Sequence, residues 1–203
     1  ISLNCYGDST AELTAIGSGG TGSYSYIWSN GDTTSLIDSL SAGTYSVLIT
    51  DINGCQGSDL LTIVNPDSIL FNFNLSNYNG SNISCNGYND GMIEASISSG
   101  VDINYSSIVW TDSIGNLVPL TNILNDTILN NITSGIYNLS VLDINGCSAN
   151  SSIELYQPDP LVNNLSMDSI SCFGGNDGVA YSSPSGGTAP YQISWSNGST
   201  NDT

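Results

Sequence analysis

A pattern that occupies residues 18–55, SGGTGSYSYIWSNGDTTSLIDSLSAGTYSVLITDINGC, returns in stretched form over 98–147 and begins a third time at Ser185. Self-similarity at a fixed period is the signature of a repeat architecture, and it constrains the fold more than any local propensity does. The leading cysteines of the three copies, Cys5, Cys85 and Cys172, are spaced by 80 and 87 residues. That period suits small β-domains in series rather than one large domain.

Each copy opens alike, as ISLNC, SNISC and DSISC, and a small turn follows the cysteine: YGDST, NGYNDG and FGGNDG. The Asn-Asp-Gly runs at 89–91 and 176–178 predict the positive-φ positions of a tight hairpin turn. Asp8-Ser9-Thr10 in the first copy predicts a turn of another type. Strands are expected at 13–16, 92–97 and 179–182, and then, past Gly19-Gly20 and Gly186-Gly187, at 24–28 and 191–195. Period two puts Tyr24, Tyr26 and Trp28 on one face, the core face. In the second copy Tyr105 and Trp110 are out of phase, so a bulge near Ser106 or Ser107 is expected. The tract after Trp110 is also longer than its counterpart after Trp28, which predicts an insertion near 111–130 on a surface loop or an added edge hairpin.

The clearest strand pattern spans 43–51, with Tyr45, Val47 and Ile49 on one face, and its twin spans 135–143, with Tyr137, Leu139 and Val141. Both run into Asp-Ile-Asn-Gly-Cys, and Asn-Gly is the strongest short-range hairpin signal. A last strand is expected near 60–64 and 153–156, stopping at Pro66 and Pro158. Proline ends a ladder and stiffens a link, so domain boundaries are expected at 1–65, 66–158 and 159–203, with the middle domain whole. About seven short strands in that domain give the fold class: all-β, tandem immunoglobulin-like β-sandwich repeats arranged as a rod.

The chain has 18 acidic residues and no Lys, Arg or His, a formal charge of -18. A chain without cations cannot neutralise phosphates or dock on anionic lipid, which excludes nucleic acid and membrane-surface partners. It offers no site to trypsin-like proteases, and no apolar run is long enough to span a bilayer. Without His or Lys, a Ser-His-Asp triad, a Cys-His pair, a Schiff base and a His-ligated zinc are all impossible within this sequence. The acids sit mostly in turns rather than in the cleft that a carboxylate pair needs, so no enzyme activity is expected. No cofactor is expected either, calcium being the one metal that oxygen ligands alone would suit. Asp51 with Asn53 and Asp143 with Asn145 are the calcium candidates, set against the simpler reading of Asx-stabilised turns.

The run Gly-Gly-Thr-x-x-Tyr-x-x-x-Trp-Ser-Asn-Gly, then Ala42-Gly43-Thr44-Tyr45-Ser46-Val47, then Asp51-Ile52-Asn53-Gly54-Cys55 resembles the SprB repeat of very large surface adhesins of gliding bacteria. The resemblance covers 5–55, 85–147 apart from the insertion, and 172–203. More loosely, Trp-x-x-Gly and Gly-x-Tyr-x-Val are similar to PKD-type sandwich domains. The family implies type IX secretion, an outer-membrane-attached filament at the cell surface, gliding motility and attachment to external surfaces or polysaccharide, with the secretion and gliding machinery and neighbouring repeats as partners. A carbohydrate-binding β-sandwich module and a passive surface-layer protein are the alternatives; the first requires exposed rows of Tyr and Trp. Asp-Ser/Thr followed by Ala, Ile, Leu, Met, Thr or Val resembles the O-glycosylation signal of the bacteria that make these adhesins. It marks Ser9, Thr33, Ser39, Ser68, Ser113, Thr127 and Ser169, more matches than the roughly one or two that chance gives in a Ser/Thr-rich chain.

The disulfide candidates are Cys5, Cys55, Cys85, Cys147 and Cys172. Pairing within each copy, Cys5 with Cys55 and Cys85 with Cys147, is the default for an exported domain. In an immunoglobulin-like Greek key, however, those cysteines occupy turns at opposite ends of a strand about 23 Å long, whereas bridged Cα atoms lie within ~7 Å. The same topology puts Cys5 in reach of Cys147, leaving Cys55, Cys85 and Cys172 to pair elsewhere. Both arrangements are open from the sequence.

Overall fold

The computed structural model describes residues 1–98, 107–119 and 127–201, and among these the regular structure is strand apart from a 3-10 residue at Ser107. In the first copy, β1 (Ala11–Thr14) pairs with β3 (Leu36–Leu40), while β2 (Ser25–Trp28), β4 (Gly43–Thr50) and β5 (Gln56–Ile63) form a three-stranded sheet in the order β2-β4-β5. In the second copy, β6 (Leu70–Leu75), β7 (Gly91–Ser98) and β9 (Ile128–Ile132) form one sheet, and β8 (Val109–Asp112), β10 (Gly135–Leu142) and β11 (Ser148–Leu155) form another in the order β11-β10-β8. With the strands lettered as in an immunoglobulin domain, the second copy is an ABE sheet and a GFC sheet, and the first is BE and CFG. That is the immunoglobulin-like division of strands between two sheets. In the third copy β12 (Val162–Asp168) pairs with β13 (Val179–Ser185).

Two compact units result. One comprises Ile1–Leu70, Ile97–Ser107 and Val141–Ala149; the other comprises Phe71–Ser96, Ile108–Ser140 and Asn150–Thr203. The core of the first lies between its two sheets: Leu13 from β1, Ile37 and Leu40 from β3, Trp28 from β2, Val47 from β4 and Ile63 from β5, closed by Leu3. Alternation makes this possible, since Tyr45, Val47 and Ile49 point inward while Thr44 and Ser46 stay exposed. Each fully buried large side chain contributes about 1.5–3 kcal/mol. In the second unit Ile83, Ile93, Trp110, Leu129, Leu139 and Leu155 are each at most 1% exposed.

A tyrosine at the start of β4 and of β10 fixes the corner between the sheets. Tyr45 donates its hydroxyl proton to Ser41 O at 3.1 Å, and Tyr137 donates to Thr133 O at 2.9 Å. This tyrosine corner, four residues back in each case, is a hallmark of Greek-key sandwiches.

Several local expectations need correction. Strands β3 and β9 lie in the tracts after Trp28 and Trp110; β3 has no strand signature in the sequence because Leu36-Ile37-Asp38-Ser39-Leu40 breaks strict alternation and Ser39 takes a positive φ of 55°. Similarly β5 and β11 begin at Gln56 and Ser148, earlier than their apolar residues suggested. The eight residues of β4 supply ladder partners from Gly43↔Ile63 to Thr50↔Gln56, so polar residues join the strand through their backbone alone. The bulge expected near Ser106 or Ser107 involves Tyr105 and Ser106, which lie outside the described residues.

The turn after each leading cysteine is the same in all three copies, including the first. The N–H of Asp8, Tyr88 and Gly175 donates to the carbonyl of Cys5, Cys85 and Cys172, and the residue with positive φ is Gly7, Gly87 or Gly174, at 81°, 80° and 81°. A positive φ at the third turn position is the requirement of a type II turn. The Asn-Asp-Gly triplets therefore do not supply the left-handed residue; Gly91 and Gly178 have ordinary φ values. Gly91 is needed for space instead. A Cβ there would lie 2.6 Å from Ile83 Cδ1, 2.7 Å from Leu155 Cδ2 and 2.8 Å from Ile132 O, whereas one on Gly87 would meet nothing within 4 Å.

These two glycines give a prediction. Gly91→Ala is expected to cost about 1–3 kcal/mol through overpacking, and Gly87→Ala about 1–2 kcal/mol through backbone strain. Urea unfolding separates the causes, because Gly87→Asn recovers part of the loss while Gly91→Ser recovers none.

Candidate functional site

The residues singled out by the sequence converge on one recurring piece of structure, the hairpin turn that carries a cysteine. The N–H of Asp51 donates to Cys55 O at 2.9 Å and that of Gly54 donates to Asp51 O at 3.0 Å, with Gly54 at a φ of 85°. Asp143, Gly146 and Cys147 repeat these bonds at 3.0 Å, with a φ of 82° at Gly146. The glycine is thus the left-handed residue that closes a longer turn, not the second residue of a two-residue hairpin. The same closure appears at 28–32, 112–116 and 195–199.

The aspartate makes the turn rigid. Asp51 Oδ1 accepts the N–H of Asn53 at 2.9 Å and of Cys55 at 2.8 Å, and Oδ2 accepts the N–H of Thr21 at 3.0 Å from the Gly-Gly-Thr loop. Asp143 Oδ1 accepts from Asn145 at 2.8 Å and Cys147 at 2.9 Å. Both aspartates are buried. In a chain with no Lys, Arg or His, backbone N–H groups are the partners these carboxylates take. The calcium candidates Asp51, Asn53, Asp143 and Asn145 are therefore brought together as Asx turns, with each Asp Oδ1 already accepting two backbone N–H groups. Among the described residues no cluster of three or more Asp, Glu, Cys or His forms a metal cage.

Other carboxylates act alike. Cys55 N–H, then Thr21 N–H, hold Asp51 below its ordinary value of 3.8. The Ser84 hydroxyl and N–H depress Asp90, the N–H of Asn116 depresses Asp112, and the Ser171 hydroxyl and N–H depress Asp177. A group with a lowered folded pKa contributes stability that is present above its unfolded value and lost as pH falls through the folded value. The urea midpoint is therefore expected to hold between about pH 7 and 5 and to fall below about pH 4. The double substitution of Asp51 and Asp90 by Asn should flatten that fall.

The cysteines separate into bonded and free. Cys5 is joined to Cys147, with Cα atoms 5.4 Å apart and both residues within the first compact unit. Beside the bond Asn145 Nδ2 donates to Asn4 O at 3.5 Å. The thiols of Cys55, Cys85 and Cys172 are exposed. Pairing within a copy does not form, and the register shows why. Ala11 pairs with Leu40, close to where β4 begins at Gly43, whereas Cys55 follows the far end of β4, where Thr50 pairs with Gln56. An eight-residue strand, roughly 23 Å, lies between the two turns of one copy.

The leading cysteine's turn is braced by residues that sequence reasoning passed over. Gly7 N–H donates to Asn65 Oδ1 at 3.1 Å, and Gly87 N–H donates to Gln157 Oε1 at 2.8 Å. Each amide directly precedes a proline, a signal visible in the Asn-Pro and Gln-Pro pairs. Asp90 and Asp177 accept the N–H of Ser84 and Ser171, both at 3.1 Å. Of the Asp-Ser/Thr hydroxyls, Ser9, Thr33, Ser39, Ser113 and Ser169 are exposed, and Ser68 and Thr127 are half-buried. Trp28 and Trp110 are buried and Trp195 is half-buried; Trp28 and Trp195 donate their indole N–H to Thr34 O at 2.8 Å and Asn201 O at 2.7 Å.

The sequence model of the SprB repeat matches residues 2–33 and 164–200. Both segments are similar to the SprB repeat, and together they cover about a third of the chain. Each runs through a leading cysteine, its type II turn and the Trp-Ser-Asn-Gly turn, so the SprB pattern coincides with the hydrogen-bonded turns described above. No match was found among curated protein sequences. Among solved structures, murine CEACAM1b is similar at 13% identity and a TM-score of 0.30, covering 64% of this chain and 84% of its own. The amphioxus IgVJ-C2 molecule matches at 16% and 0.30, covering 77% and 100%. The N-terminal eight Ig domains of Down Syndrome Cell Adhesion Molecule isoform 1.30.30 match at 14% and 0.31, covering 80% and 23%. The immunoglobulin-like assignment of the first two copies rests on their strand order and tyrosine corners, not on these likenesses.

Proposed function

We propose that this chain is part of the stalk of a secreted, cell-surface filamentous adhesin, built of domains at 1–65, 66–158 and 159–203, that supports surface attachment and gliding. The observation that carries the reading is the recurrence of one cysteine turn in all three copies and of the tyrosine corner in the first two. A chain that repeats a frame, rather than elaborating one cleft, extends its length more than its chemistry. The high negative charge adds solubility and mutual repulsion between neighbouring filaments. The carbohydrate-binding alternative is disfavoured by Trp28 and Trp110, which are 5% and 1% exposed and so cannot form a stacking platform. Glycans on the exposed Asp-Ser/Thr sites would add to the coat, and export by the type IX route would deliver it.

The test is made on intact cells. Antibody raised against the chain should label unpermeabilised cells, and brief surface proteolysis by an enzyme that does not need Lys or Arg should remove the label. Beads carrying the antibody should travel along gliding cells, and deletion of the encoding segment should reduce attachment to glass. Labelling only after lysis, or beads that bind and stay still, would count against the surface or the motile part of the reading respectively. Intact mass of the native protein reports the glycans.

A further inference from the structure

The three exposed thiols fall into two classes by the backbone that holds them. Cys85 and Cys172 share the surroundings of Cys5: a carbonyl that accepts the N–H three residues on, at 3.1, 2.9 and 3.3 Å respectively, and a turn glycine with φ near 80°. At Cys5 and Cys85 the turn N–H is further braced by the amide before a proline. Cys55 shares the surroundings of Cys147: its N–H donates to an aspartate Oδ1 at 2.8 Å, against 2.9 Å at Cys147, and its carbonyl accepts the N–H of that same aspartate. One member of each class is already bonded, to the other. Cys5 belongs to an earlier copy than Cys147, so the observed pairing runs from a leading cysteine to the hairpin cysteine of the next copy. The hairpin also brings Asn145 to Asn4 O, and Asn53 stands exposed at the equivalent place beside Cys55.

We infer that Cys85 and Cys172 each form a disulfide with the cysteine of an Asp-Ile-Asn-Gly-Cys type hairpin turn, and Cys55 with a cysteine of the Cys-x-Gly type II turn, each partner lying in a further copy of this repeat. The complementary turn, not the thiol alone, defines the site. Within this sequence the only hairpin cysteine other than Cys55 is Cys147, which is already bonded, so the partners of Cys85 and Cys172 come from further repeats of the same polypeptide or from a second copy of it. The inference stands independently of adhesion and gliding. Bond formation is thiol–disulfide exchange. One cysteine thiolate attacks a sulfur of an oxidant disulfide and displaces its other sulfur as a thiolate. The partner cysteine thiolate then attacks the mixed disulfide and displaces the second oxidant sulfur. Two electrons pass to the oxidant, and the two thiol protons end on the dithiol it becomes.

Non-reducing peptide mapping of the native polypeptide tests this, after free thiols are capped and the chain is cut at Asp, since there is no Lys or Arg for trypsin. The expected result is that the Cys85 and Cys172 peptides are recovered joined to Asn-Gly-Cys peptides and the Cys55 peptide to a Cys-x-Gly peptide, all lost on reduction. A single band on a non-reducing gel assigns the partner to the same polypeptide, and a ladder that collapses on reduction assigns it to a second copy. Capped free Cys55, Cys85 or Cys172, pairing of like with like such as Cys85 with Cys172, or a Cys55–Cys85 bond within one chain overturns the inference. Cell-surface labelling is read separately, so failure here leaves the stalk reading standing.

Discussion

Replacing Trp110 with alanine is expected to lower the stability of the unit that contains it by about 4 kcal/mol. The indole is 1% exposed, sits on β8 directly opposite Leu139 of β10, which is itself fully buried, and meets the Phe73 ring edge-on with centroids 6.2 Å apart. Removing it deletes the largest fully buried side chain described and opens a cavity between two sheets whose backbones are fixed by their ladders, so the void cannot collapse. The aromatic pair adds about 0.5–1.5 kcal/mol beyond area burial, so Trp110→Phe should cost clearly less and Phe73→Leu should lose little more once Trp110 is gone. Far-ultraviolet circular dichroism in urea reads this, as the fluorophore itself is removed. The experiment also bears on function. A tryptophan that stacks on a sugar would cost affinity on truncation while leaving stability nearly unchanged; a loss below about 1 kcal/mol would revive that reading.

Much of the frame was legible because it is written in residue types with one structural use. The inward positions of β4 and β10 followed from the period of Tyr45, Val47 and Ile49, and Tyr45 and Tyr137 then proved to hold the corner as well as the core. The turns were harder. Asn-Asp-Gly carries the usual signal for a left-handed residue, yet the tight contacts around Gly91 show that its glycine is selected for lack of a side chain, while the conformational demand falls on Gly87, four residues earlier. Strand β3 leaves no alternating pattern in the sequence because its ladder with β1 slips by a residue between Ala11 and Leu13, so its buried residues, Ile37 and Leu40, are three apart instead of two. The Asx role of Asp51 and Asp143 is open to the sequence as an alternative to calcium; what no sequence supplies is that Thr21, thirty residues away, donates to the Asp51 carboxylate. Asn65 and Gln157 stand out only as residues before a proline, and the sequence does not reveal what they hold, since their partners Gly7 and Gly87 are 58 and 70 residues distant.

Reduction of the Cys5–Cys147 bond is expected to destabilise the first compact unit by about 3 kcal/mol, within a chain-entropy ceiling of about 5 kcal/mol for so long a loop. The two cysteines are 142 residues apart in sequence, and the ceiling is reached only when everything between them unfolds at once. If the second unit stays folded while the first melts, the freed chain is shorter and the loss falls toward about 2 kcal/mol. Cys5→Ser and Cys147→Ser should each match the effect of reduction, and combining them should add nothing, because either change deletes the same bond. In the 203-residue chain by itself, where Cys55 is unpaired, Cys55→Ser should stay within about 0.5 kcal/mol. The larger consequence is mechanical. A tether pulling on the two ends of the chain transmits force through the covalent bond, so the residues between Cys5 and Cys147 carry no tension however their domains fold. At 3.3–3.6 Å per extended residue, the 142 residues hold roughly 480 Å of hidden length. Single-molecule stretching should therefore gain roughly 480 Å of contour when reductant is added, less the span of the folded segment. An oxidised chain that already shows that gain would mean that the bond does not shield the repeat, and a stalk of such units would owe its resistance to its cores alone.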